Sequence, residues 1–518
     1  MSPWNNTDIT PQPDQSRVDA RRTGLLVFAL ALSLYVATTG GSMATDIMSY
    51  EVTKGIVEHG TVAMSYNVFQ MDAHRGIDGR YYAPYGIGHA VYSIPFYALA
   101  RLAERWTGLG VGKPEALPKA GFVIGSAVAA ALTVWVAFLF AWRLSGSIPA
   151  AVETALAIGF GTFLWPYAKF GFSAPLATLC VLVGTYGAWA GARLDRPVLL
   201  ILGGAGLGGA LLVKHELALL CLPVGLWLIA ESRHDWRLVV RRGLLTGLPV
   251  AVALLATLYY NTARFGHALD TGYLRDETLA FGSLWSGLAG LLVSPGRSAF
   301  VYSPVLLAGL AALVALRRRD PRTMLLFGGE FGILLLLYAS LENWDGERSY
   351  GPRYLLPVVP LLVLPLAGWF ADTSSTAGRT GLSRLLTALV ALSVLVQIPG
   401  ILVDFSKVGS ARRIGPRTET ERQWTWEASG LSLNTRASLA AIPENAKHLV
   451  TGDRPPVKPG KSDTRDFSDQ FSFSLDFWWV YLFYLRAVSA PVALALGAAC
   501  LSAAAVCAWR LGLAYRHA

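Results

Sequence analysis

Apolar runs long enough to cross a bilayer recur along almost the whole chain, and no other feature narrows its fold so far. A helix needs about 17 to 25 mostly apolar residues to cross a hydrocarbon core roughly 30 Å thick. Thirteen stretches approach that description, near 23–41, 87–104, 121–142, 150–165, 172–192, 198–213, 217–231, 244–262, 300–316, 324–341, 355–371, 383–403 and 485–509. Lipid offers no partner to a backbone N–H or C=O, so such runs span as helices. Composition agrees. Of 518 residues, 53% are hydrophobic and 15% charged, against about 25% charged in soluble domains. The chain is expected to be an all-α polytopic membrane protein. Its first run, "TGLLVFALALSLYVATTGG", is long enough to span and lacks a convincing cleavage site, so it reads as an anchor rather than a signal peptide.

Basic residues set the orientation. In a soluble chain a formal charge of +10 would suggest a nucleic-acid partner; here the basic residues gather in short loops, which is the positive-inside pattern. Arg17, Arg21 and Arg22 precede the first run. Arg233, Arg237, Arg241 and Arg242 mark one inner loop, and Arg317, Arg318, Arg319 and Arg322 another. Arg510 and Arg516 hold the C-terminus on the same side. Both termini inside requires an even number of crossings, so one segment between Tyr85 and Phe170 is expected to be re-entrant, interfacial or split.

The expected organisation is a cytoplasmic tail over 1–22 and a transmembrane body over 23–403 whose first outer loop covers 42–86. An extracytoplasmic polar segment over 404–478 and a last span with its tail over 479–518 follow. Within 404–478, "RPPVKPGK" reads as loop, and Trp424, Trp426, Phe467, Phe471 and Phe473 are placed to dock the segment on the membrane face. The stretch "SGLAGLLVSPGRSAFV" at 287–302 is apolar but broken by Gly and Pro, and is expected at the interface. Cys180, Cys221, Cys500 and Cys507 lie in apolar runs without metal-type spacing and read as small buried hydrophobes.

The outer stretches carry the chemistry. Asp46 sits just beyond the first span in "TDIMSYE", where an apolar flank suits a carboxylate to general-base work; capping a helix is its competing role. Glu51 would project about 140° away on a helix. The same loop ends in "DAHRGIDGRYYAPYG": Asp78-Gly79 makes a turn, and Tyr81, Tyr82 and Tyr85 make an interface belt. His74 and His89 are either metal ligands or hydrogen-bonded histidines. Lys169, Lys214, His215, Arg264, Arg348 and Arg353 are outer-face cations, where the positive-inside tendency does not explain them, and each is a candidate for a phosphate. Lys214-His215-Glu216 falls between two apolar runs with almost no loop, so it faces a cavity or forms a local Lys–Glu pair. "ENWDGERSYGPRYLLPVVPLLVLPL" concentrates Glu342, Asp345, Glu347, Arg348 and Arg353 with Trp344, Tyr350 and Tyr354 where a span begins.

An acid just after the first span, a large first loop ending "DGRYYAPYG" and a many-spanned body together resemble the GT-C superfamily, in the branch of protein O-mannosyltransferases and lipid A aminoarabinose transferases. "WPYAKFGFSAPL", "YNTARFGHALDTGY", "GLLVSPGRSAFVYSPVLL" and "WDGERSYGPRYLLPVVPLL" extend the resemblance over about Ala44 to Ala371. It implies a GT-C-like helical bundle of 12–13 spans using a polyprenyl-phosphate sugar at the outer face of the bacterial cytoplasmic membrane. Asp46 would be the base that deprotonates an acceptor hydroxyl, and outer Arg and Lys would hold the donor phosphate. Asp345, Glu347, Glu342 and Tyr82 join the donor set, and Glu51, Asp78 and Arg264 are acceptor or loop candidates. The acceptor class, glycan, lipid or protein, stays open, as does a divalent cation. The chain departs from the pattern at Ala174 in "FSAPL", where the resemblance leads one to expect Glu; Glu342, Asp345 or Glu347 would compensate.

Two other readings share these features. A transporter of lipid-linked saccharide would keep charges near mid-membrane on repeated halves, whereas this chain keeps them at span ends and shows no repeat. A glycan polymerase or ligase would use the same outer face. No GxxxxGK[ST] loop is present, and a lipid-linked donor supplies its own energy.

Overall fold

The computed structural model describes residues 14–41, 46–64, 73–107, 115–273, 280–347, 349–375, 381–408, 418–458, 470–471 and 474–517. Among them the chain is a helical bundle with one two-stranded hairpin. In order come α1 (Asp14–Ala37), α2 (Ile47–His59), strands β1 (His74–Arg75) and β2 (Tyr81–Tyr82), α3 (Gly88–Thr107), α4 (Ala116–Ser145), α5 (Ile148–Gly161), α6 (Leu164–Ala168), α7 (Ala174–Arg193) and α8 (Pro197–Val213). A 3₁₀ turn (His215–Leu220) leads into α9 (Cys221–Ser232), then α10 (Trp236–Phe265), α11 (Leu284–Val293), α12 (Ala299–Tyr302), α13 (Val305–Leu316) and α14 (Pro321–Ala339). A second 3₁₀ turn (Arg353–Val358) opens α15 (Val359–Val363) and α16 (Leu366–Ser375). The rest is α17 (Gly381–Leu402), α18 (Phe405–Val408), α19 (Glu419–Trp424), α20 (Gly430–Thr451), α21 (Trp478–Tyr484) and α22 (Ala490–His517).

Nine helical stretches among the described residues are long and apolar enough to cross a membrane; α5, α8 and α13 are shorter apolar helices between them. α11 is a fourth shorter apolar helix. Of the thirteen runs expected from the sequence, α3 is neither among the nine nor among the shorter apolar helices. It carries Arg101, Glu104 and Arg105 near its end and Pro95 inside. Arg101 pairs with Glu58 of α2 at 3.0 Å, and Tyr97 Oη donates to the same carboxylate at 2.7 Å.

Small residues let the middle of the bundle close. α8 lies between α7 and α10. A Cβ on Gly187 would stand 2.5 Å from the Gly203 backbone nitrogen, so only glycine permits that approach. The basic loops collect at one end. There Arg193 of α7 pairs with Asp320 at 2.7 Å and with Glu231 at 3.5 Å, and Arg322 reaches Glu231 at 3.0 Å. This network ties α7, α9 and α14 together at the face opposite Asp46.

The 287–302 stretch is two short helices, α11 and α12, broken at Ser294–Ser298, neither long enough to span. The 404–478 segment is more ordered than its composition suggests, since α20 runs 22 residues within it. It docks through backbone and aromatics. Gly296 N donates to Gln423 O at 3.0 Å, Leu431 N to Tyr302 Oη at 2.9 Å, and Trp424 meets Trp344 edge-on at 6.4 Å. Phe471 is buried against Tyr481 and Tyr484, Trp426 is exposed, and Phe467 and Phe473 lie outside the described residues.

Candidate functional site

Asp46 occupies the N-cap position of α2 but makes no side-chain cap there. Its carboxylate instead accepts the Ser173 N–H at 2.6 Å, the only hydrogen bond it makes among the described residues. Ser173 precedes the first turn of α7, so the acid of the first loop is held by the positive end of a different helix. The side chain is 7% exposed. One oxygen is fixed and the other is left without a protein donor among the described residues. Ala174, where the resemblance leads one to expect an acid, is buried in that same first turn.

Arg353 lies within electrostatic range of this acid. The Asp46 carboxylate is among the charges acting on its guanidinium, which lies over the Phe172 ring at 5.9 Å and the Tyr354 ring at 5.0 Å. Tyr354 stacks on Tyr338 with centroids 4.6 Å apart, and Lys214 Nζ sits 5.5 Å from the Tyr354 centroid. Lys214 also pairs with Glu216 at 3.6 Å, and Glu216 accepts the Tyr338 hydroxyl at 2.7 Å. Two cations therefore gather at one tyrosine ring, and Glu216 stands beside Lys214. Of the two alternatives in the sequence, the local Lys–Glu pair is present. Tyr85 and Tyr273, 5.7 Å apart, complete the aromatic wall.

The backbone around Arg353 is built for close approach. Gly346 has φ +68°, and a Cβ there would stand 3.1 Å from Arg353 Cγ and Nε. Arg297, from the stretch "VSPGRSAF", holds that loop from beneath. It donates to the Ser349 and Gly296 carbonyls at 3.1 Å and to the Glu347 carbonyl, and pairs with Asp345 at 3.7 Å. Tyr167 supports the other side by accepting the Tyr350 N–H at 3.0 Å.

Several candidates stand elsewhere. Lys169 is fully buried, paired with Asp476 at 2.8 Å and donating to the Ile401 carbonyl at 2.5 Å, so its charge is committed to holding α21 against α17. Arg264 is buried over the Tyr260 ring at 3.6 Å and donates to Asn261 at 2.8 Å and to the Ala83 carbonyl, which docks the first loop onto α10. Asp78 is occupied inside the hairpin: it accepts Tyr82 Oη at 2.7 Å and Arg80 N at 3.0 Å. The Tyr82 bond, then the Arg80 N–H, hold Asp78 below its ordinary value; burial, then Asp78, pushes Tyr82 up to about 12. Asp345 serves Arg297, Glu342 and Glu347 are exposed, Glu51 is buried on α2, and Arg348 lies outside the described residues.

His215 follows Lys214 in the 3₁₀ turn, with its side chain near Glu216 and Arg264. His89 is buried with its ring 5.0 Å from Phe122, and burial lowers its pKa while the Asp46 charge pulls the other way. His74 lies on β1. Among the described residues no three His, Cys, Asp or Glu side chains converge.

No family model and no curated protein matches the sequence. Solved structures do. The chain is similar to ArnT from Cupriavidus metallidurans in the apo state, with a TM-score of 0.50 and 16% identity over 89% of this chain and 84% of that one. The structure of ArnT from Cupriavidus metallidurans bound to undecaprenyl phosphate gives a TM-score of 0.49 and 16% identity, over 90% and 84%. At that identity the likeness is one of fold: this chain shares the helical architecture of ArnT.

Proposed function

On this GT-C fold we propose that the chain is a membrane glycosyltransferase moving a sugar from a polyprenyl-phosphate donor to a hydroxyl acceptor at the outer face of the bacterial cytoplasmic membrane. The observation that carries the reading is the gathering of Arg353 and Lys214 at the Tyr354 ring, with Arg353 also over Phe172, the chain neighbour of the Ser173 whose N–H holds Asp46. A prenyl tail stays in lipid while the acceptor arrives from water, so the reaction needs its polar groups at such a mouth.

In this reading the Asp46 carboxylate takes the acceptor hydroxyl proton. The acceptor oxygen attacks the anomeric carbon from the face opposite the phosphate, the carbon–oxygen bond to phosphate breaks, and configuration inverts. Phosphate leaves as an anion and needs no protonation. Arg353 meets it with a planar fork and Lys214 with a point charge, both fixed beforehand on Tyr354. The likeness in fold to ArnT supports the assignment of class. The transporter reading gains a carboxyl within the bundle, Glu330, but among the described residues no cation or second acid pairs with it.

The test compares glycolipids and glycans by mass spectrometry in cells lacking the gene and in cells restored with wild type or Asp46→Asn. One glycosylated species is expected to vanish in the deletion, return with wild type and stay absent with Asp46→Asn at equal protein level. Full restoration by Asp46→Asn removes the proposed base.

A further inference from the structure

Glu330 is the one charged residue between Met324 and Ala339 of α14, and it is completely buried. Neither the proposed transfer nor the packing of the helix ends makes use of it. Its carboxyl oxygens lie 2.8 and 3.1 Å from Thr185 Oγ1 of α7, and among the described residues that hydroxyl is its one hydrogen-bond partner. α9 closes the neighbouring side, with Pro223 close to Gly329 and the Cys221 thiol near enough to feel the carboxyl.

Hydrogen counting decides the state of this acid. Thr185 Oγ1 also lies 3.0 Å from the Val181 carbonyl, four residues back on its own helix. A hydroxyl has one hydrogen and two lone pairs. Given to Val181, in the usual i−4 manner of buried threonines, that hydrogen leaves only lone pairs facing Glu330. Two oxygens cannot bind each other without a proton, so the proton belongs to Glu330. Given to Glu330 instead, the hydrogen would be the only bond donated to a full negative charge inside an apolar bundle, which costs several kcal/mol.

The geometry points to Glu330 as a proton-holding carboxylic acid site inside the bundle, donating to Thr185 Oγ1 while Thr185 donates to Val181, and as the carboxyl that a lipid-soluble carbodiimide entering the bundle would modify. The chemistry balances. The acid O–H adds across one C=N bond of the carbodiimide, the proton passing to nitrogen and the carboxyl oxygen to the central carbon. The O-acylisourea then rearranges to a stable N-acylurea, with nothing oxidised and nothing expelled. An ionised carboxylate lacks the proton this addition requires. The state of Glu330 is independent of the transferase reading.

Full-length protein in lipid vesicles at neutral pH provides the test. Wild type treated with dicyclohexylcarbodiimide is expected to carry the acylurea mass on the Glu330 peptide, and the Glu330→Gln variant none there. Infrared difference spectra of wild type minus Glu330→Gln are expected to show a protonated-carboxyl C=O band. A second variant, Thr185→Val, keeps the acid but removes its acceptor, and should shift that band toward the frequency of a free acid. A carboxylate band in its place overturns the protonation, and failure of Glu330 to gain the adduct overturns the modification site.

Discussion

Removing Asp476 should loosen the link between the 404–478 segment and the bundle while leaving the Asp46 site in place. The Lys169 ammonium and the Asp476 carboxylate are each 0% exposed and 2.8 Å apart. Asp476 also accepts the Gly41 N–H at 3.0 Å and the Tyr481 hydroxyl at 2.9 Å. Asp476→Ala strands a buried ammonium on the Ile401 and Val403 carbonyls, and breaking such a pair from one side costs about 3–5 kcal/mol. That is a loss of roughly two to three and a half orders of magnitude in the local folding equilibrium. Replacing both partners by apolar residues, Lys169→Met with Asp476→Leu, removes both desolvation costs and should fall well short of the sum of the singles. The assay is a double-mutant cycle on detergent-solubilised protein, reading the heated fraction that stays monodisperse and the rate of proteolysis between Phe405 and Trp478. Single variants as stable as wild type, or a double variant as damaged as the two singles added, would refute the buried-pair account.

Arg353→Lys keeps the charge but loses the planar fork, and should raise the donor KM roughly ten- to a hundredfold with a smaller change in kcat, in line with about 1.5–3 kcal/mol for a charge-assisted bond; steady-state kinetics on a donor concentration series check it. Gly346→Ala forces a Cβ at φ +68° to within 3.1 Å of Arg353 and should cost about 1–2 kcal/mol, seen as lost transfer in a protein that still purifies intact. The Tyr82 phenol is raised to about 12, so its contribution to the hairpin is complete below the ordinary tyrosine value of about 10 and is lost as pH climbs through about 12. Difference absorbance titration of wild type against Tyr82→Phe should show that late phenol, and Asp78→Asn should bring it back toward the ordinary value.

The bundle was legible because lipid imposes a length and composition on every span. α3 reads as one more apolar run, but its Arg101 pairs with Glu58 and with its own Glu104. Side-chain partners were less legible because they lie far apart in the chain. Lys169 reads as an outer cation until Asp476 is placed beside it, and Arg264 reads as a phosphate ligand until the Ala83 carbonyl is. Asp46 stands out in the sequence by its position, but its hydrogen-bond partner is 127 residues away at Ser173, a residue with no local signal. Arg297 and Tyr338 carried a weak one, a cation and a phenol at the ends of apolar runs, and Glu216 was noticed only as the neighbour of Lys214. Glu330 could have been found directly, as a lone acid inside a spanning run.

Transfer itself, measured on purified protein in vesicles with an isotopically labelled sugar on a polyprenyl-phosphate carrier, tests the central claim most directly. Wild type should move label into a new glycosidic bond on a hydroxyl acceptor and release polyprenyl phosphate, while Asp46→Asn binds the carrier and leaves the label on it. Labelled carrier that crosses the bilayer intact with no new bond formed, or undiminished transfer by Asp46→Asn, would contradict the account.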